Sequence, residues 1–292
     1  MKVLVLGGRG FIGRHAVASL EAAGASVVVG TRKPQRVDNT NAAEEHVLHQ
    51  TLSLDNWIHV TNQYDVVLNC VGILRQRWGE TYAAVHHHAP GLIAQACCQT
   101  DTRFVHVSAL GLSATARSRF ITSKFRGEQA IQSAGGDWII ARLSLLDGEG
   151  GYGASWLRGV SQLPVFVVPT SAKGNIAALT AEDAGEALCR LCVRSEQALQ
   201  LHTLRIFELG GEQPVAFEHY IRGLRKRYSD KPAIALRMPG FLARIGAHIC
   251  DVLHFSPFSF GHWELLCGDN VPVPNRLPQL LERDPEKVFD HA

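Results

Sequence analysis

Short apolar runs rich in β-branched residues recur through the first half of the chain, at residues 3–6, 25–29, 47–49, 66–71, 104–107 and 138–141. Longer segments of helical periodicity lie between them, at 11–23, 79–98 and 117–134, with Gly24 and Gly135 as stop signals. The runs are continuously apolar rather than alternating, as in Val66-Val67-Leu68 and Val3-Leu4-Val5-Leu6. Strands covered on both faces read this way, so the pattern predicts an α/β fold with a doubly wound parallel sheet of the Rossmann type over residues 1–150.

Beyond Gly148-Glu149-Gly150-Gly151 the alternation weakens. A short strand at 165–168, a helix at 181–193, a strand at 204–209 and helices at 217–228 and 240–253 predict a smaller C-terminal α/β lobe over 151–292 for a substrate or a partner. Part of 175–210 is expected to return to the first domain. From Pro272 the chain is proline-rich and is expected to run over the surface.

Composition adds limits. The chain has 292 residues, 46% hydrophobic and 19% charged, with a formal net charge of +2, so it is an ordinary globular chain with no demand for nucleic acid. The apolar stretch at 238–260 is interrupted by Arg244, His248, Asp251 and Pro257, and no stretch supplies the about 20 apolar residues of a membrane span. The start lacks the features of a secretory signal, and the expected location is cytoplasmic. Seven cysteines are scattered without framework spacing and are expected as free thiols. Cys189 and Cys192 form a C-x-x-C inside a helical pattern with no second pair, which predicts buried helix residues rather than a zinc site.

Gly7-Gly8-Arg9-Gly10-Phe11-Ile12-Gly13 follows a four-residue apolar strand and opens a helix. In that context the spacing of Gly7, Gly10 and Gly13 has a physical meaning: the backbone turns tightly, approaches a pyrophosphate, and offers the anion the free N–H groups of Phe11 and Ile12 at the helix start. The expected ligand is a nicotinamide dinucleotide. A chain selecting NAD(H) usually carries a carboxylate at the end of the second strand for the ribose 2′-hydroxyl. Here that place reads Gly30-Thr31-Arg32-Lys33. Arg32 and Lys33 can pair with a 2′-phosphate, which favours NADP(H), with NAD(H) still possible. The alternative is that both are solvated loop charges.

With the glycine turn, Asn69-Cys70-Val71-Gly72, His106-Val107-Ser108-Ala109-Leu110-Gly111 and Lys124 in hand, the chain resembles the extended or atypical branch of the short-chain dehydrogenase/reductase superfamily. The NAD-dependent epimerases and dehydratases belong to that branch. Val71-Gly72-Ile73-Leu74, the run Phe104 to Gly111, Ser123-Lys124 with Gly127-Glu128, and Gly268-Asp269-Asn270-Val271 look like a subgroup near the nucleotide-binding accessory subunit of respiratory complex I. The resemblance implies cofactor contacts from Cys70, Val71, Gly72, Ser108 and Lys124. It implies a serine that polarises a substrate carbonyl, here Ser108, and a Tyr-x-x-x-Lys in which the tyrosine moves the proton. In this sequence the segment is Phe120-Ile121-Thr122-Ser123-Lys124. A phenyl ring has no proton to give, so the usual general acid is missing.

Two readings follow. The chain is a slow or unconventional NADP(H)-dependent reductase, with Tyr152, Tyr82 or water in place of the lost donor, or it binds nucleotide without turnover as a structural, assembly or redox-sensing protein. The substrate or protein partner is unspecified. Partner surfaces on the second reading are the basic helix with Arg222, Arg225, Lys226 and Arg227 or the aromatic segment with Phe255, Phe258 and Phe260. The plainer expectation for these is a solvated face and a core cluster. His86-His87-His88 cannot converge on one metal ion from consecutive helical positions, and at most one faces the cofactor side. Glu182 and Asp183 are expected to stabilise a helix N-terminus. Arg142 is expected just past the last strand of the first domain.

Overall fold

The computed structural model describes residues 1–32, 44–47, 53–253 and 258–289. Lys33 and Phe255, named above, lie outside the described residues.

In chain order the elements are β1 (Lys2–Leu6), α1 (Phe11–Ala22), β2 (Ser26–Thr31), β3 (Glu44–Val47), α2 (Leu54–Thr61), β4 (Val66–Asn69), a π-helical turn (Ala83–His88), α3 (Ala89–Gln99), β5 (Arg103–Ala109), α4 (Arg119–Ala134) and β6 (Trp138–Leu143). There follow β7 (Leu146–Asp147), α5 (Tyr152–Gln162), β8 (Val165–Pro169), β9 (Asn175–Ile176), β10 (Leu179–Thr180), α6 (Ala181–Val193), α7 (Glu196–Leu199) and β11 (Ile206–Leu209). The chain ends with β12 (Val215–Ala216), α8 (Phe217–Lys226), β13 (Ile234–Met238), α9 (Gly240–Leu253), α10 (Phe260–Leu266) and α11 (Leu277–Leu281).

The main sheet runs β11-β6-β5-β4-β1-β2-β3. Parallel pairing is set by in-step registers such as Leu6↔Gly30 and Leu6↔Asn69 on the two sides of β1. From β1 the chain builds outward to β2 and β3, then crosses back to β4 and continues the other way. The order therefore reverses between β1 and β4, and the crevice beyond the carboxyl ends of those two strands is where such sheets take ligands. The central strands β1 and β4 are largely apolar because both faces are covered: Val3, Leu4, Val5, Val67 and Leu68, with Val105 of β5 beside them, are fully buried.

The chain divides into two compact units, one of residues 1–108, 123–142 and 182–207 and the other of 109–122, 143–181 and 208–292. In the first, Leu4, Leu6, Trp57, Ile93, Phe104, Ile131 and Ile140 share a core. In the second, Phe166, Val168, Tyr220, Ile221 and Leu224 form another. The tail from Pro272 corrects the sequence reading. Leu277, Leu280 and Leu281 of α11 are buried, because three leucines within five residues outweigh the surrounding prolines.

Helix α6 carries Glu182 and Asp183 in its first turn and buries Cys189 and Cys192, both free. Of the candidate partner surfaces, Lys226 and Arg227 are exposed, while Arg222, Arg225 and Phe260 are engaged within the fold. Arg225 is buried and donates to the carbonyls of Lys231, Ser161 and Leu163, Arg222 pairs with Glu218, and Phe260 is buried with its ring stacked on Trp263 and His248. Among the described residues no helix is long and apolar enough to cross a membrane.

Candidate functional site

The turn between β1 and α1 is built by glycine for steric reasons that can be read atom by atom. Gly7 sits at φ +74°, the left-handed region that side chains disfavour. A Cβ on Gly13 would lie 2.2 Å from the Gly7 carbonyl oxygen and 2.7 Å from the Gly8 Cα, so the first turn of α1 lies against the turn that precedes it. Gly10 caps the helix and supplies no side-chain acceptor, and the first turn contains no acid. The opening N–H groups of the helix thus meet no capping side chain, and they carry the positive end of the helix dipole.

Cys70 and Val71, named from the sequence, lie beside this turn, and Gly72 and Lys124 follow from them. A Cβ on Gly7 would stand 3.2 Å from the Cys70 carbonyl carbon and from Val71, so the ends of β1 and β4 meet there. Asn69 holds the chain leaving β4, its side-chain oxygen accepting the Val71 N–H at 3.1 Å while its amide nitrogen donates to His106 Nδ1 at 3.1 Å. The next residue, Gly72, is open, and a Cβ there would lie 3.9 Å from both His86 Nε2 and Lys124 Nζ. Lys124 is half-buried, and burial lowers its pKa to about 8 against the opposing pull of Glu128.

His86 is the histidine of the triplet that faces inward. Its Nε2 accepts the Ile73 N–H at 3.1 Å, which leaves the proton on Nδ1 to be donated to Ser123 Oγ at 3.1 Å. His87 is half-buried and His88 exposed, and among the described residues no group could hold a metal ion. The π-helical turn presents His86 this way, and Gly127 of α4 makes room for it. A Cβ at Gly127 would lie 1.9 Å from the His86 carbonyl oxygen. Tyr82 spends its hydroxyl proton on the Leu74 carbonyl.

Ser108 is buried, and its hydroxyl donates to Glu128 Oε1 at 2.5 Å. Glu128 is itself 1% exposed and receives Arg142 through Nε and, at 2.6 Å, through Nη2. Arg142 lies within β6 rather than past it. Sequence reasoning missed the role of Glu128, although its place one helical turn after Lys124 was a signal. Arg32 is exposed at the end of β2 and ion-pairs with Glu80. Phe120, one turn before Lys124 on α4, is buried in the second unit, with its ring against Gly261 and 5.5 Å from that of His262.

Burial lowers the pKa of His86 to about 2 and that of His106 to about 3, with Lys124 adding to both. Folded histidines therefore stay neutral where unfolded ones begin to charge. Their contribution to stability is fully present above the unfolded value of about 6.5 and drains as the pH falls below it, by about 2 kcal/mol for each histidine at pH 5. Thermal unfolding between pH 7.5 and 5 is expected to show a shallower loss in His106→Gln than in the parent chain; parallel slopes would contradict it.

A model of the NAD dependent epimerase/dehydratase family matches residues 3–151, the stretch that holds the glycine turn, Gly72, Ser108, Lys124, Glu128 and Arg142. The chain belongs to this family. A nucleoside-diphosphate-sugar epimerase of Staphylococcus aureus has the same fold, with a TM-score of 0.72 and 12% identity over 98% of each chain. UDP-glucose 4-epimerase of Thermus thermophilus, solved in complex with NAD, has a TM-score of 0.57 and 19% identity over 82% of this chain and 86% of its own. A curated relative, ceramide reductase of Caulobacter vibrioides, is 24% identical over 65% of this chain. The matched region spans 60% of that relative's length.

Proposed function

We propose that the chain binds NADP(H) at the β1–α1 turn and acts as an oxidoreductase of this family on a carbonyl compound. The observation that carries the proposal is the glycine-lined approach ending in a helix N-terminus without a capping side chain, with Gly72 and Lys124 beside it. This cradle fits a pyrophosphate because Gly13 lets the helix start pack directly against the turn and no acid in the first turn repels the anion. Gly7, Gly10, Phe11, Ile12 and Gly13 would hold the diphosphate, with Thr31, Cys70, Val71 and Gly72 lining its flanks and Lys124 at the ribose. The bound dinucleotide supplies or takes the hydride. In this reading Ser108 is a positioning residue, holding Glu128 against Arg142 and so fixing the α4 helix that carries Lys124. The relative named ceramide reductase supports a ceramide as the first compound to try.

Arg32 favours NADP(H), since its guanidinium stands at the end of β2 in a place without a carboxylate of its own. Its partner Glu80 must yield to a 2′-phosphate. Titration of tryptophan-to-nicotinamide energy transfer is expected to show NADPH binding tighter than NADH. Arg32→Ala should weaken NADPH by about tenfold or more while sparing NADH, as for a lost charged hydrogen bond, and Glu80→Gln should tighten NADPH. Equal affinities for the two nucleotides would sink the preference, and no binding of either would sink the proposal.

Phe120 supports a second reading, in which nucleotide is bound without turnover and the protein serves as a structural, assembly or redox-sensing component akin to the complex I accessory subunit. Phe120→Tyr separates the two. If the chain reduces a carbonyl slowly for want of a proton donor, this variant gains about 10²–10⁴-fold in turnover. A chain with no turnover before or after the substitution, but with intact NADPH binding, fits the second reading.

A further inference from the structure

Helix α9 faces the wrong way for a helix that only packs. Its small residues point inward, with Ala243 and Ala247 at 4% and 0% exposure. Its large apolar residues point out: Phe241, Leu242, Ile245, Ile249 and Leu253 are 66%, 45%, 52%, 48% and 63% exposed. Residues 241, 245, 249 and 253 recur every four positions and so lie along one stripe.

The strand before it behaves alike. Only Pro239 separates β13 from α9. Ile234 and Leu236 of β13 pair in register with Val165 and Val167 of β8, and all four are exposed, while the alternating residues Phe166 and Val168 of β8 are buried. Single exposed apolar residues are ordinary, but five on one helix and four on the adjoining ribbon amount to a surface.

Charge distinguishes the possible occupants. From His219 to Ile249 the sequence holds seven Lys or Arg and one acid, Asp230; of the seven, Arg225 is buried and Arg227 ion-pairs with Asp147. Arg237 and Arg244 are exposed on the two elements themselves. Arg237 also reaches Glu218, a carboxylate it shares with Arg222, so the pair of cations there still outweighs the single acid. Asp251, the acid of α9, accepts the Phe260 N–H at 3.0 Å, which ties it to α10. A second copy seated on this face would bring the same cations against each other. A bilayer bearing anionic lipids offers both an apolar interior for the stripe and opposite charge for its border.

We infer that β13 and α9 form a peripheral membrane-docking surface, the apolar stripe entering the interface and Arg237 and Arg244 lying at the headgroups. Nothing in this depends on the nucleotide chemistry.

The test is co-sedimentation of the full chain with vesicles of phosphatidylcholine alone and of an equal mixture of phosphatidylcholine and phosphatidylglycerol. The chain is expected to sediment with the mixed vesicles and to be retained far less by the neutral ones. Ile245→Ser should weaken binding by about tenfold, and Phe241→Ser/Ile245→Ser by more, as for large side chains no longer buried. Arg237→Glu/Arg244→Glu should abolish the preference for phosphatidylglycerol. These side chains point outward, so unchanged thermal unfolding checks the fold, and Leu253→Ser replaces any variant that fails this check. Absence of sedimentation with either vesicle overturns the inference, as does undiminished binding by folded variants. Light scattering that shows a dimer abolished by Phe241→Ser/Ile245→Ser, without vesicle binding, assigns the surface to a second copy instead.

Discussion

Replacing Glu128 by alanine is expected to cost about 3–5 kcal/mol of stability, because it breaks an ion pair between a guanidinium and a buried carboxylate. Glu128 accepts from both Ser108 and Arg142 while almost wholly buried. Without it the Ser108 hydroxyl loses its acceptor, and Arg142 on β6 loses its ion pair with the carboxylate. The carboxylate also favours the charged form of Lys124, so its loss should lower the Lys124 pKa further below about 8. Urea unfolding measures the first effect. Glu128→Gln should lose less, since the amide oxygen still accepts one bond, and the pH dependence of nucleotide binding should move to lower pH in both variants. A variant as stable as the parent would show that the network contributes little.

Gly13→Ala is expected to remove nucleotide binding almost entirely, by about 100-fold or more (about 2.7 kcal/mol). The added methyl would fall on backbone atoms, the Gly7 carbonyl at 2.2 Å and the Gly8 Cα at 2.7 Å, and backbone cannot rotate away as a side chain can. The helix must shift outward, and its N–H groups move with it, at an overpacking cost of about 1–3 kcal/mol. Gly10→Ala gives the graded comparison. There the nearest atom is the Gly7 carbonyl at 3.1 Å, so a few tenths of an ångström suffice and the loss should be much smaller. Energy-transfer titrations of the two variants, with thermal unfolding alongside, read both effects. Equal losses would mean that the turn tolerates displacement and that the close packing at Gly13 is not what shapes the cradle.

How much could be read from the sequence depends on the range of the forces involved. The glycine turn is a local matter: strand, spacing and helix start all lie within residues 2–13, and the steric reason for each glycine acts between near neighbours. The central strands are equally legible, because burial on both faces marks each of them separately, whereas β3 is polar and overlaps the expected run at 47–49 only at Val47. Ser108 was named from the sequence, but the partner of its hydroxyl lies 20 residues away on α4 and the guanidinium that completes the group lies on β6. No short window along the chain contains all three. Helix α9 illustrates a different limit. Its periodicity shows that one side is small and the other large, yet only the tertiary structure says which side turns inward, and here it is Ala243 and Ala247. The order at the tail was missed for want of weight given to Leu277, Leu280 and Leu281, which bury regardless of the prolines beside them.

The π-helical turn at Ala83–His88 accommodates one residue more per turn than an α-helix would. Deleting a single residue between Ala83 and Val85 would let ordinary α-helical bonding close over the gap, and the change would be nearly silent for α3 itself. Five α-helical residues turn through about the same angle as six π-helical ones, so the flanking segments would keep their phase, but the spacing from Tyr82 to His86 would fall by one residue. Tyr82, whose ring stacks on His86, could no longer keep both that contact and its bond to the Leu74 carbonyl. The extra residue thus sets the spacing between Tyr82 and His86, and it ties the length of this segment to the chemistry beside Gly72 more tightly than the identity of most of its residues does.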